Sequence, residues 1–191
     1  MVTPQEQEKQ RLDYLYKYTP FLFYPMGKRV LYIGGSPGKV QLVRAIAEAH
    51  SVLLLEAFQP NVEAMMLEDS RLEIPHFVGY HHGNVVAMGL QKLRDVFGSI
   101  QHVIWWHGPE HIESFELKQT LTKLEALAET SVILGCPYGV LEQGEVYGNG
   151  YEVHRTHWYP EDFERKGYDT VTIGERDSGL GSCIIAWKRR S

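Results

Sequence analysis

The sequence predicts an α/β fold: a mostly parallel seven-stranded sheet with helices on both faces and an antiparallel C-terminal hairpin strand. Three observations carry this. Short apolar β-type runs alternate with segments of helical periodicity along most of the chain. The first run, ending Tyr32-Ile33, passes through Gly34-Gly35-Ser36-Pro37-Gly38 directly into a helical pattern. The last two runs flank Asp177-Ser178-Gly179-Leu180-Gly181 and read as a hairpin.

Taken in order, Gln5–Tyr18 reads as a helix that Pro20 and Pro25 bring to an end. Val30–Ile33 is the first strand and Val40–Ala49 the helix after it. Val52–Leu55 is the second strand. Pro60 opens a helix through Met66, since proline is well tolerated in the first helical turn. Pro75–Tyr80 is a short strand, and Val86–Phe97 a helix with Met88, Leu90, Leu93 and Phe97 at apolar spacing. Gln101–Trp106 is the fourth strand. In Phe115–Ala128, Leu117, Leu121, Leu124 and Leu127 recur at helical spacing and turn one face to the sheet. Val132–Cys136 is the fifth strand, and Thr170–Ile173 with Ser182–Trp187 form the hairpin. Residues 1–191 make one domain, without repeats or linkers, and 1–26 supplies an N-terminal helix and an aromatic segment.

Composition excludes some classes of function. The net charge is −5, from 19 Lys+Arg against 24 Asp+Glu, which argues against a broad nucleic-acid footprint. No apolar run reaches the roughly 18 residues of a membrane span. The first nine residues are polar and carry acids, unlike a signal peptide. Cytoplasmic location and no membrane partner are the expectations. Cys136 and Cys183 sit in apolar β-like runs and read as buried reduced thiols. Tyr14 to Tyr24 is unusually aromatic and reads as a lid, a homodimer contact or plain packing on the sheet.

The turn at Gly34–Gly38 is where an open α/β sheet docks a nucleotide-like ligand, outside the carboxyl ends of its strands. Glu56 closes the second strand within the spacing of roughly 20 residues expected of a ribose-binding acid. The turn lacks the G-x-G-x-x-G of dinucleotide sites and the G-x-x-x-x-G-K-[ST] phosphate loop, which disfavours a nicotinamide oxidoreductase. The bland readings are a tight β–α connection for the turn and a helix-end or surface acid for Glu56.

The turn resembles motif I of the class I S-adenosylmethionine (SAM) methyltransferases, and the resemblance covers roughly Gly27 to Lys188. It implies a Rossmann-like fold, SAM as cofactor, and methyl transfer to O or N of a small-molecule or glycan-like acceptor; the alternative is an inactive binding module of the same fold. It implies a cofactor site from Tyr32, Gly34, Gly35, Ser36, Gly38, Glu56, Ala57, Gly83, Asn84 and Trp106. Glu56 matches the acid that binds both ribose hydroxyls, and Gly83-Asn84 stands where the family often has Gly-Asp against adenine. Tyr32 stands where motif I usually carries an acid, and Ser36 where glycine is common. Glu110-His111 matches an Glu-His pair after the fourth strand, and His154 to Tyr168 resembles a C-terminal segment of the family.

The chemistry-bearing candidates cluster after strand four. Trp105 and Trp106 point to opposite faces, and Trp106, nearer the carboxyl end, either covers the cofactor or packs in the core. His107 is the general-base candidate, because imidazole titrates near neutral pH. Glu110 and His111 either orient the acceptor or cap the next helix. His154 is the second base candidate. Tyr151, His157 and Trp158 form an acceptor wall, or a loop packed on its own aromatics. A metal-free site is expected, since Gly108-Pro109 interrupts the i, i+4 pair His107/His111 and no H-E-x-x-H occurs. Were a divalent ion required, His107, Glu110, His111 and His154 would be its ligands.

Overall fold

The computed structural model describes residues 4–36, 46–48, 50–71, 77–174 and 182–190. Its framework is one seven-stranded sheet in the order β3-β2-β1-β4-β5-β7-β6. The strands are β1 (Arg29–Ile33), β2 (Ser51–Glu56), β3 (Phe77–His82), β4 (Ile100–Trp106), β5 (Ala128–Pro137), β6 (Asp169–Ile173) and β7 (Cys183–Arg189). β1 to β5 run parallel, while β7 inserts antiparallel between β5 and β6. The α/β class, the strand count and the C-terminal antiparallel pair therefore stand as the sequence predicts.

Alternation along β1 shows how the sheet makes two cores. Leu31 and Ile33 face a cluster with Leu93 and Phe97 of α3 (Leu90–Phe97), Leu117, Leu121 and Leu124 of α4 (Ser114–Leu127), and Phe163 of α5 (Pro160–Glu164). Val30 and Tyr32 face the other side, with Leu15 of α1 (Pro4–Tyr18), Met65 of α2 (Gln59–Asp69) and Ile46. Both faces of a parallel strand are buried, which is why its sequence reads as a continuous apolar run. Cys136 and Cys183 are buried and free. Burial pushes the Cys136 thiol well above its ordinary range, which disfavours the reactive thiolate.

Several boundaries differ from the sequence prediction for local reasons. The helix expected from Val86 begins at Leu90. Asn84 Oδ1 accepts the Val86 N–H at 2.9 Å, and Lys123 Nζ takes the carbonyls of Val85, Val86 and Met88 at 2.7–2.9 Å. Those groups are thereby withdrawn from a helical ladder. β5 starts four residues earlier than its apolar run, because Ala128 already pairs with Ile100 while Glu129 and Thr130 hide the strand. β3 is shifted to Phe77–His82 by its register with β2, in which His82 pairs with Glu56. α2 runs on to Asp69. The helix expected at Val40–Ala49 and the turn at Asp177–Gly181 lie mostly or wholly outside the described residues.

Residues 21–23, after α1, pack away from the crevice. Leu22 and Phe23 are buried, His50 Nε2 bonds the Leu22 carbonyl, and Phe21 lies 6.5 Å from the His102 ring with Arg189 over it. These contacts are at the amino ends of the strands, opposite the carboxyl-end crevice. Leu22 and Phe23 are packed on the sheet, while Tyr16 and Tyr24 of the same aromatic segment are exposed.

Candidate active site

A cavity of about 360 Å3 opens at the carboxyl ends of β1, β2 and β4. Parallel strands leave their terminal carbonyls and connecting loops at one edge, and the order reverses between β1 and β4, so the crevice forms there.

The glycine turn supplies one wall. Gly34 has φ +81, a left-handed conformation that costs a residue with a Cβ, and its N–H bonds the Leu55 carbonyl at 2.9 Å. A Cβ on Gly35 would stand 2.8 Å from Met65 Sδ and 3.1 Å from Leu54. Ser36, Tyr32 and Ala57 also line the cavity, and Gly38 lies outside the described residues. Tyr32 is buried among the apolar groups of the α1/α2 face, so the expected acid position is filled by an aromatic wall.

Glu56 is tied into the turn rather than exposed as a surface acid. Its Oε2 accepts the Gly35 N–H and its Oε1 the Phe58 N–H, both at 2.8 Å. Burial raises its pKa above the ordinary carboxyl value, and these backbone bonds oppose the rise without cancelling it. A carboxylate has about four lone-pair sites, so each oxygen keeps one for a ligand hydroxyl. Gly83 and Asn84 line the same wall, with Gly83 N–H bonded to the Glu56 carbonyl at 2.9 Å.

Trp105 and Trp106 both border the cavity although they leave β4 on opposite faces. Two glycines make room for them. A Cβ on Gly108 would fall 1.6 Å from Trp105 Nε1, and one on Gly135 would fall 2.4 Å from the Trp106 ring. Packing and site-lining are thus one role for these rings.

β4 ends in an abrupt turn. His107 adopts φ +50 and its N–H bonds the Gly135 carbonyl at 2.8 Å. This aims the ring at the cavity, with Nδ1 3.0 Å from Glu110 Oε1. Glu110 sits in the 3-10 turn Pro109–His111 and is 2 % exposed. Burial alone would raise its pKa, but the His107 hydrogen bond and the charges of His107 and His111 outweigh burial and hold the carboxyl below its ordinary value. Glu110 does not cap α4; Glu113 and Glu116 form that capping box. Burial lowers the pKa of His111, against the opposing pull of Glu110.

The loop after β5 is sewn onto this turn. The Glu110 carbonyl accepts Arg155 N–H at 2.8 Å, and Trp158 Nε1 donates to the Pro109 carbonyl at 2.8 Å. Trp158 is buried against Phe163, and His157 is exposed outside the cavity lining. Of the expected acceptor wall only Tyr151 borders the cavity, because the two neighbours serve as strut and surface. His154 lies behind His111, ring centroids 5.0 Å apart. The sequence reading missed Glu113, Glu116, Asn149, Glu152 and Arg155 at the rim. The run Glu113–Glu116 next to the Glu110-His111 pair was the available signal; Glu152 and Arg155 carry none.

No protein-family model matches the sequence, and no curated protein matches it. Solved structures do match in fold. Magnesium protoporphyrin IX methyltransferase (ChlM) from Synechocystis PCC 6803 with bound SAH superposes at TM-score 0.66 and 15 % identity, over 100 % of this chain and 89 % of that one. N-methyltransferase NodS from Bradyrhizobium japonicum WM9 gives 0.64 at 8 % identity, over 98 % of each chain. The N-terminal domain of EvdMO1 with SAH bound gives 0.67 at 16 %, over 98 % of this chain and 82 % of that one. The chain has the Rossmann-like fold of class I SAM methyltransferases.

Proposed function

We propose that this protein is a SAM-dependent methyltransferase acting on O or N of a small-molecule or glycan-like acceptor. One observation carries the reading: the glycine turn clamped by Glu56 and the His107 ring held by buried Glu110 line the same cavity.

The fit to the cofactor rests on the donor set. Glu56 retains acceptor sites for two ribose hydroxyls, Asn84 offers its amide beside Gly83, and Trp106 provides a flat wall. When bound, SAM supplies an electrophilic methyl group on a sulfonium. The chain's own work is to align the acceptor, exclude water and take a proton. A His107 Nδ1–H donated to Glu110 leaves Nε2 unprotonated toward the cavity. Nε2 then removes the acceptor proton, and buried Glu110 stabilises the imidazolium that results. The rim acids Glu113, Glu116 and Glu152 disfavour phosphate-rich acceptors and suit hydroxyl or amine groups.

The test is SAH binding by calorimetry, then SAH release across a panel of phenols, amines, carboxylic acids and sugars. His107→Asn is the informative variant, because asparagine tolerates the left-handed backbone that His107 adopts. It should keep SAH affinity and lower turnover by roughly 10²–10⁴-fold. Full activity in His107→Asn would move the base elsewhere. SAH binding without turnover on any acceptor would favour the binding module, and tighter NAD than SAM binding the oxidoreductase.

A further inference from the structure

We propose that Glu110, His111 and His154 form a binding site for one divalent transition-metal ion, at the back of the cavity. Their ligand atoms lie within 4.8 Å of one another. The hydrogen bonds around them set the chemistry. His111 Nδ1 faces the Val153 carbonyl at 3.3 Å, and His154 Nδ1 faces the Leu141 carbonyl at 2.6 Å. A carbonyl only accepts, so each Nδ1 carries the proton and each Nε2 presents its lone pair. A histidine held by an Nδ1–H to a backbone carbonyl, with Nε2 directed inward, is the arrangement that orients a metal ligand.

Glu110 completes the set. Its Oε1 accepts from His107, and its Oε2 is buried with no hydrogen-bond partner among the described residues. A buried carboxylate oxygen without a donor is costly. His111 Nε2 stands 3.9 Å from the other oxygen of the same carboxylate, and a carboxylate oxygen of Glu110 lies within 4.8 Å of the ligand nitrogens of both histidines. Three acceptors converge where a cation would satisfy all of them. Donors each about 2.0–2.2 Å from a metal stand roughly 3.4 Å apart in tetrahedral geometry, so small rotamer shifts close the site.

The ligand chemistry selects the ion. Two imidazoles with one carboxylate suit Zn2+ or Co2+, whereas Mg2+ prefers an all-oxygen octahedron. His111 and His107 both line the cavity, so an ion held by His111 would be reachable from it. The ion would also fasten the loop carrying His154 to the 3-10 turn carrying Glu110 and His111. This departs from the metal-free site expected from the sequence and keeps three of the four residues, Glu110, His111 and His154, that the sequence offers as ligands were an ion required. It shares the cavity with the methyltransferase reading but does not need that reading to be correct.

The experiment is titration of the EDTA-treated, dialysed full chain with Zn2+, Co2+ and Mg2+. Calorimetry and thermal unfolding give affinity and stoichiometry, and visible absorption of the Co2+ form reports its ligand geometry. One Zn2+ or Co2+ per chain is expected, with a raised Tm, ligand-field bands for Co2+, and no response to millimolar Mg2+. Glu110→Gln, His111→Ala and His154→Gln should each weaken binding by at least about 100-fold, whereas exposed His157→Ala should not. A readout on the unmodified protein covers the case of unfolded variants: Zn2+ should protect His111 and His154 from diethylpyrocarbonate, read by mass spectrometry. Absence of one-to-one binding, wild-type affinity in folded variants, or equal modification with and without Zn2+ would overturn the proposal. SAH affinity of the metal-free protein, measured in parallel, reports separately on the cofactor reading.

Discussion

Glu56→Gln is the sharpest perturbation of the proposed cofactor site. The carboxylate accepts Gly35 N–H on one oxygen and Phe58 N–H on the other, each at 2.8 Å. Glutamine keeps one carbonyl oxygen and replaces the second acceptor by an NH2 donor. One backbone N–H then faces a donor, and one ribose hydroxyl loses its charged acceptor. Hydrogen bonds to charged groups contribute about 1.5–3 kcal/mol. At 1.4 kcal/mol per decade this corresponds to a roughly 10- to 150-fold weaker SAH Kd. Calorimetry against SAH measures it directly. The pH dependence gives an independent check. Burial raises the Glu56 pKa, and donors from the ligand favour the ionised form. SAH affinity should therefore be full above that pKa and fall as pH drops through it, and Glu56→Gln should lose this acid limb. An unchanged Kd together with an unchanged pH profile would refute a ribose-binding role for Glu56.

Other predictions follow from single features. Gly135→Ala places a Cβ 2.4 Å from the Trp106 ring, so overpacking of about 1–3 kcal/mol should lower the Tm and shift tryptophan fluorescence. Gly34→Ala meets ordinary contact distances, its nearest neighbour being the Trp106 carbonyl at 3.5 Å, but φ +81 should cost about 1–2 kcal/mol in thermal unfolding. Lys123→Met removes the cation that gathers the Val85, Val86 and Met88 carbonyls; weaker SAH binding without any direct ligand contact should follow. Burial depresses His102 from 6.5 to about 4, with His50 and Lys28 adding to the effect. The unfolded chain then binds the extra proton between those values, so stability should fall as pH drops from about 6.5 toward about 4, by up to about 1.4 kcal/mol per pH unit. His102→Gln should flatten that part of a Tm–pH curve; an identical slope would exclude His102 as its source.

The sequence by itself determined the fold class and half of the site. Strand runs such as Leu31–Ile33 and Leu53–Leu55 are apolar because both faces are covered. The glycine turn and Glu56 are legible because they are local: a backbone conformation and an acid at the end of one strand. Tertiary structure decided what depends on long-range contact. It buried Trp158 as a strut, put His157 at the surface, packed Phe21 beside His102 near the amino ends of the strands, and turned Glu110 from a helix-capping candidate into a buried acid. It also brought His154 beside His111, although 43 positions separate them. Periodicity reports only which face of an element is apolar. The partners of a polar side chain in a loop are set by whichever segment the fold lays across it, and that information resides in no short stretch of sequence.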